Sequence, residues 1–195
     1  MKMDNKAQES MPIQLLLGVT ILTFVITIGF YSYRQACATQ YDHRVRAGLD
    51  RLRSEIEFVY RGGVGTTSPK ITLDTTVPPG CDIGFESVRL LDGPKDQCEA
   101  NIGKEDCVMI VAVTVDEHGN RHVSSRSYVD VPGGTDGVTI DMEGFGQQDC
   151  HDYSYGEIFE DDDAEPGEDY CGWGTGKFTL QVIRKSEDTI LIEQL

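Results

Sequence analysis

Residues 11–33 read MPIQLLLGVTILTFVITIGFYSY, and residues 6–10 before them read KAQES. The first stretch contains no charged side chain. About twenty such residues, at a rise of ~1.5 Å each, span the hydrocarbon core of a bilayer. A secretory signal peptide carries its small-residue cleavage site behind the apolar segment, which is then discarded. Here the small residue, Ala7, lies in front of it. A cut between Ala7 and Gln8 would retain the apolar segment as the mature N-terminus.

The pattern does not end at Tyr33. Cys37, Tyr41, Val45, Leu49, Leu52, Ile56 and Val59 recur at steps of three and four. This is an apolar stripe at helical spacing, with Asp42, Arg44, Arg46, Asp50, Arg51, Arg53, Glu55 and Glu57 on the other faces. Gly62 and Gly63 supply the stop. The spacing predicts one helix over 8–61, apolar all round in 11–33 and on one side only in 34–61. Its first half calls for lipid or for copies of itself, and its second half for a domain to pack on. Thr20, Thr23 and Thr27 share one flank, and Gly18 and Gly29 permit close approach. Such residues serve helix–helix packing in membranes, but a threonine also bonds back to its own helix. Pro12 falls near the helix start, where a missing N–H is tolerated.

Lys6, Ala7, Gln8 and Ser10, followed by the apolar helix, resemble the class III signal peptide of archaeal type IV pilins and archaellins. The resemblance covers roughly residues 4–61. It departs at Pro12, where that family usually has glutamate, and Glu9 is the nearest acid. It implies a leader of residues 1–7 removed by a prepilin peptidase. It also implies assembly of identical subunits into an extracellular filament by the pilus machinery, with the membrane as the precursor's home. The head would be a sandwich, often immunoglobulin-like in that family. The alternatives are a low-copy accessory pilin or stator-like archaellum protein, and a single-span anchored extracellular binding or sensor domain with an uncleaved N-terminus.

Beyond Gly63 the period drops to two. Ile71, Leu73 and Val77 alternate with polar residues, and Ile83 to Leu91 follows with a bulge expected at Ser87. Cys107 to Val115 is apolar on both faces, as in a central strand. A turn at 116–120 leads to Arg121–Val131, a second at Gly133-Gly134 to Val138, Ile140 and Met142. A hairpin around Lys185–Asp188 closes the chain. The fold class expected is therefore α+β, a long N-terminal helix before an antiparallel β-sandwich head over 62–195. The stretch from Gly144 to Gly176 reads as a long loop.

Six cysteines and no Cys-x-x-Cys pair point to disulfides in an oxidising compartment, not to zinc. Cys37 lies about 36 Å up the helix from Gly62, and a strand running back from Pro69 brings Cys81 to that level. A Cys37–Cys81 bridge follows, leaving Cys98–Cys107 and Cys150–Cys171 for two loops. One signal opposes an outside head: Arg34, Arg44 and Arg46 follow the apolar run, while Lys2 and Lys6 precede it.

The net charge of −16 makes nucleic acid and anionic lipid poor partners for the head. His43, His118, His122 and His151 form no catalytic pattern, since His118 and His122 flank a turn. No phosphate-binding glycine loop or nucleophile elbow is present, and no enzyme activity is expected. Asp161, Asp162, Asp163 and Glu165 offer the oxygen ligands Ca2+ takes, but without the spacing of an EF-hand. A solvated acidic loop is the plainer reading, and no other cofactor is implied.

Overall fold

The computed structural model describes residues 6–81, 83–116, 118–132, 138–143 and 172–195. Helix α1 runs unbroken from Lys6 to Gly62, through Pro12. Gly63 follows at φ 83°, the left-handed conformation that ends helices and that glycine adopts without steric cost. The expected strands follow as β1 (Ile71–Asp74), β2 (Phe85–Asp92), β3 (Val108–Val115) and β4 (Arg121–Val129). Next come β5 (Thr139–Glu143), a two-residue β6 (Gly172–Trp173), β7 (Lys177–Arg184) and β8 (Thr189–Gln194).

They form two four-stranded sheets, ordered β1-β7-β8-β5 and β4-β3-β2-β6. Among the described residues every pairing is antiparallel except that of β5 with β8. The α+β class holds, with this one parallel pair inside an otherwise antiparallel head. The bulge falls where the interrupted alternation puts it, between Phe85 and Ser87. β3 is interior in its sheet, and its two faces enter two apolar clusters, Ile110 and Ala112 in one and Met109, Val111 and Val113 in the other.

The head-facing stripe of α1 enters the same core as both sheets. Tyr41, Val45, Leu49, Leu52, Ile56 and Val59 are buried with Ile71 and Leu73 of β1, Ile110 of β3, Leu180 of β7 and Ile192 of β8. The helix lies chiefly against β4 and β1, which are edge strands of the two sheets. It therefore closes one open side of the sandwich and covers edges that would otherwise invite pairing with another chain. Gly48 marks a close approach to β1, since a side-chain carbon there would sit 2.9 Å from Leu73 Cδ1.

Three features depart from the expected map. Across the start of the loop closed by Cys98 and Cys107, Lys95–Ile102 forms helix α2, capped by Gly103 at φ 72°. Gly172 and Trp173, assigned by sequence to the long loop, pair with β2, and the Trp173 indole is core. β1 ends at Asp74, so Val77 packs against the core from outside the strand.

Candidate membrane and assembly surface

The two halves of α1 meet different surroundings. From Ile13 to Tyr33 the large apolar side chains are all exposed, from 54% at Tyr33 to 72% at Leu15. This segment is long and apolar enough to cross a membrane, and none of it is buried inside the protein. A single apolar helix of this kind is suited to act as a membrane anchor. Tyr33 is also where the head begins, its ring lying near Gly80 in the turn before Cys81.

The threonines of the rod are internally satisfied. Thr20, Thr23 and Thr27 each donate a hydroxyl hydrogen bond of 2.8 Å to the carbonyl four residues back. None of these three hydroxyls is left to seek water, so the flank suits lipid or another helix equally. In helical projection these threonines continue the line of the head-facing stripe, at ~100° per residue. Together with Val19 and Phe24 they line a shallow groove. Gly18 and Gly29 lie on the opposite flank with nothing within 4 Å of a side-chain carbon placed there. The sequence reading left packing and back-bonding open for the threonines; the structure shows the back-bonding.

Where the rod meets the head, covalent and polar ties take over. Cys37 and Cys81 are bridged, with Cα atoms 6.0 Å apart. Tyr41 donates to the Thr75 carbonyl at 3.1 Å, and burial pushes its phenol well above the usual range. Arg44 reaches the Thr76 carbonyl and lies 3.7 Å from the Asp74 carboxylate. Asp74 titrates below the usual carboxylate range; against the cost of its own burial, hydrogen bonds from Thr76 and the charges of Arg44 and Lys177 favour the anion. Arg44, counted by sequence as a flanking charge of the span, is thus bound to the head.

Farther down, acids beside the apolar stripe dock β4. Asp42 accepts from the Ser125 hydroxyl at 2.8 Å, Asp50 from the Ser127 hydroxyl at 3.0 Å, and Glu57 from the Asp130 amide at 3.0 Å. Asp130 in turn receives Lys104 at 2.5 Å and Arg61 at 3.2 Å, and these cations hold its carboxyl low. At the helix end, Arg184 donates to the carbonyls of Tyr60, Glu187 and Ser186 and stacks over the Tyr60 ring. Its charge meets the negative end of the helix dipole. The sequence reading missed both devices. The available signal was acids at 42, 50 and 57 along one helix edge, opposite serines at alternate positions 125 and 127.

The remaining expected sites divide plainly. Cys98 and Cys107 are bridged. Lys6, Ala7, Gln8 and Ser10 lie in the first turns of α1. Cys150, Cys171, His151 and the Ca2+ candidates Asp161, Asp162, Asp163 and Glu165 lie outside the described residues. Among the described residues no group of three His, Cys, Asp or Glu side chains could hold a metal. His122 Nε2 sits 3.2 Å from the Asp116 carboxylate across the β3–β4 turn, and that carboxylate also accepts from Asn120 and from the His118 amide. The arrangement is a tightened turn.

The surface as a whole is an apolar rod continuous with a disulfide-tied sheet domain, a construction compatible with an oxidising, extracellular setting. No protein-family model matches the chain, and neither curated proteins nor solved structures give a significant match. The immunoglobulin-like expectation for the head therefore rests on the signal-peptide resemblance alone.

Proposed function

We propose that this chain is a structural subunit of an extracellular, type IV pilus-like filament, assembled through residues 13–33 after a prepilin peptidase removes residues 1–7. The observation that carries the reading is the rod. Its apolar side chains are exposed on every side, yet it is one continuous helix with the buried stripe of the head. Moving such a rod from lipid into a bundle of its own kind need not bring it into water. Head-to-tail contacts that do not close into a ring then produce a helical filament. Mass spectrometry of filaments sheared from cells is expected to find a mature chain beginning at Gln8. A chain retaining Met1, recovered only as a detergent-bound protomer, would refute the reading.

A second reading, a lone anchored extracellular binding or sensor domain, draws on the self-satisfied threonines, which leave the rod at ease in lipid without partners. It predicts the uncleaved, solitary protomer. An accessory subunit present in few copies would share the cleavage and appear in filaments at low stoichiometry.

A further inference from the structure

The protein is strongly acidic, yet two of its stretches carry almost no charge. Residues 31–41 hold Arg34 as their single charged side chain, and residues 75–81 hold none. The first continues α1 out of the rod, and the second leads from β1 toward β2. The fold brings them together at the rod end of the head. Cys37 is bridged to Cys81, and the Tyr33 ring lies 4.0 Å from where a side-chain carbon on Gly80 would stand.

The second stretch ends in a fixed turn. The Cys81 amide donates to the Pro78 carbonyl at 3.1 Å, and Gly80 between them has φ 83°. Proline second and a left-handed glycine third are the residues of a type II turn. At its other end the stretch is anchored by buried Thr75, whose amide donates to the Gly176 carbonyl and whose hydroxyl donates to the Gly174 carbonyl. Pro79 and Gly80 are exposed at the tip. Neither proline has an N–H, and that of Cys81 is already used. Such a tip offers few donors that would lose water on entering a less polar layer.

The rod fixes where that layer lies. From Ile13 to Tyr33 α1 rises ~30 Å, the thickness of a bilayer's hydrocarbon core. Phe30, Tyr31 and Tyr33, all exposed, cluster at its head-side end, and the Arg34 guanidinium stacks 4.8 Å over the Phe30 ring. In helical projection, at ~100° per residue, Phe30 and Tyr31 lie on the side of the head-facing stripe and Tyr33 lies beside Cys37. Tyrosine suits a lipid–water boundary, with its ring in the less polar part and its hydroxyl in the wetter part.

We propose that the turn Pro78-Pro79-Gly80, with Tyr31 and Tyr33, is a lipid-contact surface that seats the rod end of the head in the headgroup layer of the bilayer. The occupant is phospholipid and not a second copy of the chain, because the surface is continuous with the rod and begins at the depth where the hydrocarbon ends. The contact is aromatic and uncharged, so it does not call for anionic lipid, which so acidic a head would repel. The inference rests on α1 crossing a membrane, which both readings of the function share. It goes beyond them by holding the head at the lipid surface instead of on a stalk. The Cys37–Cys81 bridge and the Thr75 anchor keep the turn at that depth.

The test reads depth with a tryptophan in the full chain, reconstituted in phosphatidylcholine vesicles. Wild type is the baseline, since Trp173 is the chain's single tryptophan and is buried in the core. Pro79→Trp is expected to add emission that a nitroxide on the lipid headgroup lowers about twofold and a nitroxide at the chain end leaves nearly unchanged. Leu22→Trp, in mid-rod, is expected to show the reverse. Phe58→Trp, about 38 Å from Tyr33 along the helix, should respond to neither. Melting temperature and both disulfides as in wild type establish the fold of each variant; should Pro79→Trp not fold, Pro78→Trp probes the same tip. Leu22→Trp quenched from the chain end, with the turn reporter quenched by neither nitroxide, would overturn the seating while leaving the span. So would a turn reporter whose emission tracks the protein-to-lipid ratio, which marks a second copy at the tip. Leu22→Trp untouched by either nitroxide would overturn span and seating together.

Discussion

One helix, two solvents. Residues 13–33 and residues 37–59 belong to the same unbroken α1, and both are rich in Leu, Ile and Val. The first segment exposes all of its large apolar side chains, while the second buries a single stripe of them. Backbone hydrogen bonding is the same throughout, so what separates the halves is the arrangement of polar residues. Between Tyr33 and Gly62 charged residues mark two edges beside the stripe, Asp42, Asp50 and Glu57 toward β4 and Arg44 toward β1. From Met11 to Tyr33 there are no charges to define an edge, and threonines conceal their hydroxyls within the helix. A helix without a polar face has no preferred side, which is what lipid or a bundle of identical rods requires.

The comparison can be broken most forcefully at the junction. Replacing Cys37 and Cys81 by serine is expected to cost the head about 4 kcal/mol, from the loop entropy released in the unfolded chain. The shorter Cys98–Cys107 loop, with nine residues of separation against 44, should cost about 3 kcal/mol on the same basis. Urea unfolding of each pair of serine variants checks the order. If the junction bridge proves the lesser of the two, the rod end of the helix is held by other means.

Next in size is a substitution made in both halves. Leu52→Ala empties a fully buried site and is expected to cost about 3 kcal/mol in head stability. Leu16→Ala, at a site 69% exposed, should change it by less than about 0.5 kcal/mol. Thermal unfolding in one detergent compares them directly. Equal losses would mean that rod and head fold as one cooperative body.

Acid should weaken the head with a sign that can be stated. Asp74 and Asp130 both titrate below their ordinary carboxylate value of 3.8 when folded. Their contribution is present above the unfolded pKa of about 4 and is lost as pH falls through the lower folded values. Melting temperature should therefore fall below about pH 4, and Asp130→Asn should flatten part of that fall. A rod spanning lipid has no such groups, so its insertion should be indifferent over the same range. The smallest effect expected is at the acid–serine docking of β4. Ser127→Ala should cost about 1 kcal/mol, because Asp50 is exposed and regains water in place of the hydroxyl. The readout is a melting temperature lower by about 2–4 °C.

Much of this architecture was legible before folding, and for local reasons. The helix, its stop at Gly62, the bulge at Ser87, the central place of β3 and the closing β7–β8 hairpin all follow from periodicity within a dozen residues. The Cys37–Cys81 bridge followed from two lengths, a helix rising and a strand returning. Helix α2 was hidden because Lys95–Ile102 carries no apolar stripe, although Pro94 before it and Gly103 after it were fair punctuation. The parallel β5–β8 pair, the entry of Trp173 into the core and the Arg184 cap on Tyr60 bring together residues far apart in the chain. No window of sequence contains both members of any of them.

Sequence alone determined that a rod without a polar side precedes a two-period domain, because spacing of apolar residues decides helix against strand and decides which faces must leave water. Tertiary structure decided which edges of the sandwich that helix would cover. It also decided which of its charges, Arg44 and Arg61 among them, would be consumed at home and which would be left in solvent. Pairing of charges depends on distances across elements, and those distances exist only once the sheets have closed against the helix.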